Sequence, residues 1–120
     1  EWAFWKKNDS IAVTIDVGVR KQLGKVSLGY LNHFGLGIHK PQKVEVWLSD
    51  NDVHYWKATE QTFGTDEIFA EGRFTEEMEF VFKDVARYVR VIMKGAGKCP
   101  EHHVRPGLET QIYLDEVLIE

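Results

Sequence analysis

The chain has 120 residues, 43% of them apolar and 12% aromatic, and a net charge of −4. A single domain of this size removes roughly two-thirds of its unfolded surface from water, so it needs no metal or disulfide staple. Charges of both signs are scattered with no basic stripe, which argues against a nucleic-acid partner; no apolar run approaches the length of a membrane span.

Apolar residues alternate with polar ones almost throughout, the period that half-buried strands require. Ile11, Val13, Ile15 and Val17 mark one strand, and Val26, Leu28 and Tyr30 the next. Val44, Val46 and Leu48 follow, with Trp47 on the opposite face, where the N-terminal segment is expected to cover it. Thr65 to Glu71 is the nearest approach to a helix, and Gly72 stops it after about two turns. Met78, Phe80 and Phe82 alternate again, as do Val89, Val91 and Met93. Gln111 to Glu120 is apolar on both faces in places, which suits a strand covered on both sides or crossing between sheets. Short strands with turns between them mean an all-β sandwich or barrel.

The connections are unequal. Gly18 to Gly24, Asp50 to Asp52 and Lys83 to Val85 are short; Asn32 to Gln42, Thr62 to Thr75 and Gly95 to Thr110 are long. In the first turn after β-alternation stops, Asn51 is expected to take the left-handed conformation. Short and long connections alternate, so antiparallel strands would gather the long loops at one end, joined there by the stretch from Trp5 to Ser10. Binding surfaces are commonly built on such loops over a rigid scaffold.

That end would hold His33, Phe34, His39, Phe63, Phe69, Arg73, His102, His103 and Arg105, including four of the five histidines. An aromatic face can pack on the C–H face of a sugar while imidazole and guanidinium groups fix its hydroxyls. The plainer alternative is that the loops are merely polar and that Phe34, Phe63 and Phe69 plug the core. Cys99-Pro100-Glu101-His102-His103 invites a zinc reading. One cysteine is too few for a structural site, and neighbours in an extended segment diverge, so a three-ligand site would have to borrow His33 or His39; no metal is expected. Asp115 and Glu116 should point to opposite faces of a strand and so could not flank one bond. No serine sits in a nucleophile elbow, and Lys94 to Lys98 opens no helix to cradle a phosphate.

Several segments, taken in order, resemble one family. Trp2 and Trp5 precede Val13-Thr14-Ile15-Asp16-Val17-Gly18; Lys25 to Leu31, Ile38 and Pro41 before Val44 to Ser49, Ala86 to Val91, Cys99-Pro100 with His102 or His103, and Asp115-Glu116-Val117 then follow. The sequence is similar to discoidin-like domains (coagulation factor V/VIII C-type) and to the family 32 carbohydrate-binding modules. It most resembles those at the C-terminus of bacterial family 20 glycoside hydrolases, which are β-N-acetylhexosaminidases of the chitobiase type. The resemblance implies an antiparallel jelly-roll β-sandwich of the galactose-binding-domain type, a single domain over residues 1–120 cut from a larger protein. It further implies a non-catalytic module that tethers a parent glycoside hydrolase to glycan from a secreted, periplasmic or cell-surface location. A structural β-sandwich packed on the parent catalytic domain, binding no sugar, is the alternative. His33, Phe34, His39, Arg73, His102 and Arg105 are the expected ligand contacts, Phe34 by stacking and the others by hydrogen bonds. No cofactor is expected: Glu116 matches a structural calcium ligand of sugar-binding relatives, but its partners would lie before Glu1.

Overall fold

The structure, a computed structural model, describes residues 3–5 and 10–120, with side chains from Ile11 onward. Trp2 and the rest of the expected N-terminal lead-in, residues 6–9, lie outside the described residues. The elements are β1 (Ala3–Trp5), β2 (Ser10–His33), a 3-10 turn (Phe34–Leu36), β3 (Lys43–Ser49), β4 (Tyr55–Thr62), α1 (Thr65–Ile68), β5 (Arg73–Lys94) and β6 (Ile112–Ile119). Hydrogen-bonded neighbours run β1-β6-β2-β5-β3-β4, every pair antiparallel.

β2 and β5 dominate, with 24 and 22 residues paired into one ribbon. A straight strand of that length would run about 80 Å at roughly 3.3 Å per residue. The longest extent of the molecule is 46 Å, so the ribbon folds back. Its ladder slips between Asp16 and Lys21 and again between Leu23 and Lys25. Gly18 supplies φ +94° at the bend, and its N–H donates to Asp16 Oδ1 at 2.8 Å. One half of the ribbon, residues 10–16 with 88–94, continues into β3 and β4; the other, residues 25–33 with 73–81, continues through β6 to β1. The short connections expected at Gly18–Gly24 and Lys83–Val85 are therefore bends inside continuous strands. They still reverse the chain, because each carries its strand from one layer to the other.

The two layers bury alternate residues against each other. Val26 and Leu28 from one side meet Val44, Val46, Leu48, Val89, Val91 and Met93 from the other, all at most 1% exposed. Each such side chain contributes about 1.5–3 kcal/mol relative to leaving it in water. At one end Arg20 Nε reaches Asp50 Oδ1 at 3.0 Å and Trp56 Nε1–H donates to Asp84 Oδ2 at 2.7 Å, joining the short connections. At the other end the N–H of Gln42 bonds Lys94 O at 2.8 Å, that of Phe63 bonds Gln42 O at 2.8 Å, and that of Phe34 bonds Gly72 O at 3.1 Å. The long loops share that end.

Three local expectations are corrected. Asn51 is not the left-handed residue of its turn; Asp52 is, at φ +62°, while Asn51 Oδ1 accepts the N–H groups of Val53 and His54 at 2.9 Å each. Trp47 is not covered by β1, the described part of the N-terminal segment expected there, since β1 lies at the far edge against β6; Trp47 Nε1–H donates to Glu45 Oε1 at 3.1 Å and Lys57 Nζ lies 5.4 Å from its ring. Asp115 and Glu116 do not face opposite sides. The ladder slips between Gly29 and Tyr30, leaving both carboxylates exposed and lining one open hollow with Glu76 and Glu77.

Candidate functional site

The elaborated end is a composite rim made from residues 33–39, 69–73 and 99–111. Its first loop is pinned by backbone. His33 N–H donates to Ile38 O at 2.8 Å and Ile38 N–H returns to His33 O at 3.2 Å, which closes a tight turn with Phe34 at its start. Gly37 completes it at φ +71°, where a Cβ would lie 2.9 Å from Leu108 Cδ2. His39 N–H to Gln111 O and Gln111 N–H to Gly37 O, both 3.0 Å, stitch this loop to the last one. Arg105 Nε–H donates to Gly35 O as a further stitch.

Beneath the surface runs a chain of side chains. Asn32, 1% exposed, donates from Nδ2 to Ala70 O at 2.9 Å and Gly72 O at 3.0 Å. Its Oδ1 faces His39 Nδ1 at 2.9 Å. His39 Nε2 faces His103 Nε2 at 3.1 Å, and His103 Nδ1 accepts the N–H of Arg105 at 2.9 Å. The rings are enclosed by aromatics: Phe34 lies 4.0 Å from His103 between centroids, and Phe69 meets His39 edge-on at 5.0 Å. Burial, with the neighbouring His103, pulls the His39 pKa down to about 4. Burial also lowers that of His103, helped by the charges of His102 and Arg105.

Cys99 is buried beside these rings, and its thiol is held above its ordinary pKa by desolvation. The ligating atoms of His39, Cys99 and His103 lie within 4.8 Å of one another, a donor set that zinc or copper(I) could use. The hydrogen bonds oppose it. Because His103 Nδ1 accepts the Arg105 N–H, its single proton sits on Nε2, the atom a metal would need. Ligation would require an imidazolate or the loss of the Arg105 bond, so the trio is a hydrogen-bonded centre.

The expected contact residues divide accordingly. His39 is 1% exposed and both its ring nitrogens are engaged, which removes it from ligand contact and makes it scaffold. His33 and Arg73 are register partners at the ends of β2 and β5, beside the turn that carries half-buried Phe34. Arg105 and His102 are exposed on the third loop, and Arg105 uses Nε for its bond to Gly35 O. The other five lie on the segments that make up the loop-bearing end. Phe63, at 7% exposed, belongs to the core. Sequence reasoning missed Asn32; a polar residue breaking the apolar alternation at the end of a strand was the only signal available.

No protein-family model and no curated protein matches the sequence. Solved structures do. A family 32 carbohydrate-binding module of a family 89 glycoside hydrolase from Clostridium perfringens, in complex with N-acetylgalactosamine-β-1,3-galactose, superposes with a TM-score of 0.65 at 15% identity, over 98% of this chain and 73% of that one. A second family 32 module, from a family 31 glycoside hydrolase of the same organism, gives 0.60 at 12% identity over 94% and 67%. The two-layer antiparallel sandwich with all its long loops at one end is therefore the discoidin-like fold of the family 32 carbohydrate-binding modules.

Proposed function

We propose that this chain is a non-catalytic carbohydrate-binding module that holds a parent glycoside hydrolase, of the β-N-acetylhexosaminidase type, close to its glycan outside the cytoplasm. The reading is supported by the loop-bearing end itself, where half-buried Phe34, the paired His33 and Arg73, and the exposed His102 and Arg105 stand on segments stitched together by backbone and side-chain hydrogen bonds. A sugar ring can pack on Phe34 while imidazole and guanidinium groups hold its hydroxyls. The ligand would be a terminal sugar such as N-acetylglucosamine or galactose, held with affinity on the order of millimolar to micromolar.

A glycan array probed with the 120 residues tests this directly. Selective retention of terminal amino sugars or galactosides is expected, and binding to no glycan rejects the proposal. One observation favours a second reading: Leu36, Val104 and Leu108 are 47%, 65% and 37% exposed on the same rim. Such an apolar fringe would suit packing against a parent catalytic domain without sugar. That reading expects a silent array together with association between the separately expressed module and catalytic domain.

A further inference from the structure

The direction of every hydrogen bond beneath the rim follows from one backbone donor. The Arg105 N–H can only donate, so His103 Nδ1 carries a lone pair and His103 Nε2 the proton. His39 Nε2 must then accept, which puts the His39 proton on Nδ1, facing Asn32 Oδ1. The Asn32 amide is independently oriented the same way, because its Nδ2 donates to the carbonyls of Ala70 and Gly72. The chain therefore runs one way, from the third loop through both rings to the second.

We propose that His39 and His103 are positioning residues of the rim: a neutral, tautomer-locked pair that ties its three loops together and releases them when either ring takes a proton. The geometry compels this. Only two ring lone pairs exist, His39 Nε2 and His103 Nδ1, and each already accepts an N–H. A proton on either atom sets two donors face to face at about hydrogen-bond distance, although the Ile68 backbone also bonds His39 and favours its charged form. The charged and titratable groups that face the pair are Arg105 and His102 on its own loop, the neutral Cys99 thiol, and Lys40 beside His39, itself 3.8 Å from Glu67 on α1. Arg105 and His102 thus bear on the pair from the third loop, each disfavouring the charged form of His103, and the Glu67 carboxylate on α1 is matched to Lys40.

The inference rests on the proposed reading of the rim as the ligand face, but its test needs no ligand. Imidazole nitrogen NMR on the 120-residue chain at pH 7 should show His39 protonated on Nδ1, the rarer tautomer, and His103 on Nε2. Amide exchange should show the Arg105 N–H protected at pH 7. Its protection factor should fall about a hundredfold by pH 4 if the open rings titrate near 6.5 and His39 in the closed rim near 4. The His39 Nδ1–H tautomer should survive in Asn32→Leu, because the Arg105 N–H still sets the direction of the chain, whereas Arg105 protection at pH 7 should fall in that variant as the tie to the second loop is lost. Two rings that both titrate near pH 6.5 with free exchange of tautomers would overturn the inference, as would Arg105 protection that stays flat to pH 4. A silent glycan array with the tautomers intact would instead overturn the sugar reading and leave the clasp standing.

Discussion

Asn32→Leu removes the end of the buried chain while keeping the branched layout of the side chain, and its cost can be counted group by group. The His39 Nδ1–H loses its Asn32 acceptor in a site 1% exposed, and a buried donor left without its partner costs about 1–3 kcal/mol. Ala70 O loses a donor but sits on a half-buried residue that water can reach, so it adds up to about 1 kcal/mol. Gly72 O keeps the N–H of Phe34 at 3.1 Å and adds little. The greater burial value of leucine offsets part of the sum, leaving a loss of about 2–3 kcal/mol, or roughly 10 °C in Tm for a chain of this length. Urea unfolding at pH 7.5, read as a fall in midpoint at constant slope, measures it. Gln22→Leu is the control, because Gln22 also donates to two carbonyls, at 3.3 and 3.5 Å, but from an exposed position; it should cost under about 0.5 kcal/mol. Equal losses in the two variants, or less than about 1 kcal/mol from Asn32→Leu, would show that the buried chain contributes no more than surface hydrogen bonds do.

Phe34→Ala should abolish retention on an immobilised glycan that the array identifies, while costing about 1–2 kcal/mol in urea because the ring also packs on His103; unchanged retention rejects Phe34 as the stacking face. Stability of the wild-type chain should decline as pH falls from about 6.5 to about 4. His39 is neutral in the fold and binds a proton more readily unfolded, so its contribution is present above pH 6.5, amounts to about 3 kcal/mol, and is lost as pH approaches its folded value near 4. A urea midpoint that is flat across that window contradicts the assignment. Gly37→Ala should cost about 2 kcal/mol or more, because φ +71° disfavours a side chain and its Cβ would press on Leu108; circular-dichroism melting reads it, and a neutral result means the turn can relax.

The all-β class and the position of the rim were legible because both rest on period-two alternation and on loop length, which need no tertiary information. Val26 and Leu28, Val44 to Leu48, and Val89 to Met93 reappear as the fully buried core. What could not be read was how β2 and β5 pass from layer to layer. A bend that keeps strand pairing looks, in sequence, the same as a turn that ends it, and Gly18 is consistent with both. β4 carried no clear alternation, because an edge strand with one covered neighbour buries only parts of Tyr55, Trp56, Ala58 and Thr59. Within the rim, residue type alone could not separate an exposed histidine from a buried one. His39 and His102 carry the same donors and acceptors, and only the closure of the loops over Asn32 decides that the first is scaffold and the second is surface.

That division has a consequence for affinity. A terminal sugar on this rim would gain on the order of 4–8 kcal/mol, a range in which ordering even a few loop residues on binding would erase the gain at about 1–2 kcal/mol each. Phe34, Arg73 and Arg105 come from three separate loops, so their arrangement is costly unless it exists beforehand. Here the cost is met during folding, by the Gly35, Gly37 and Gln111 backbone bonds above and by the Asn32–His39–His103 chain below. On the proposed reading, the histidines under the rim bear on recognition without touching a ligand, and a variant that loosens them should weaken binding through a more mobile rim even where every contact residue is retained.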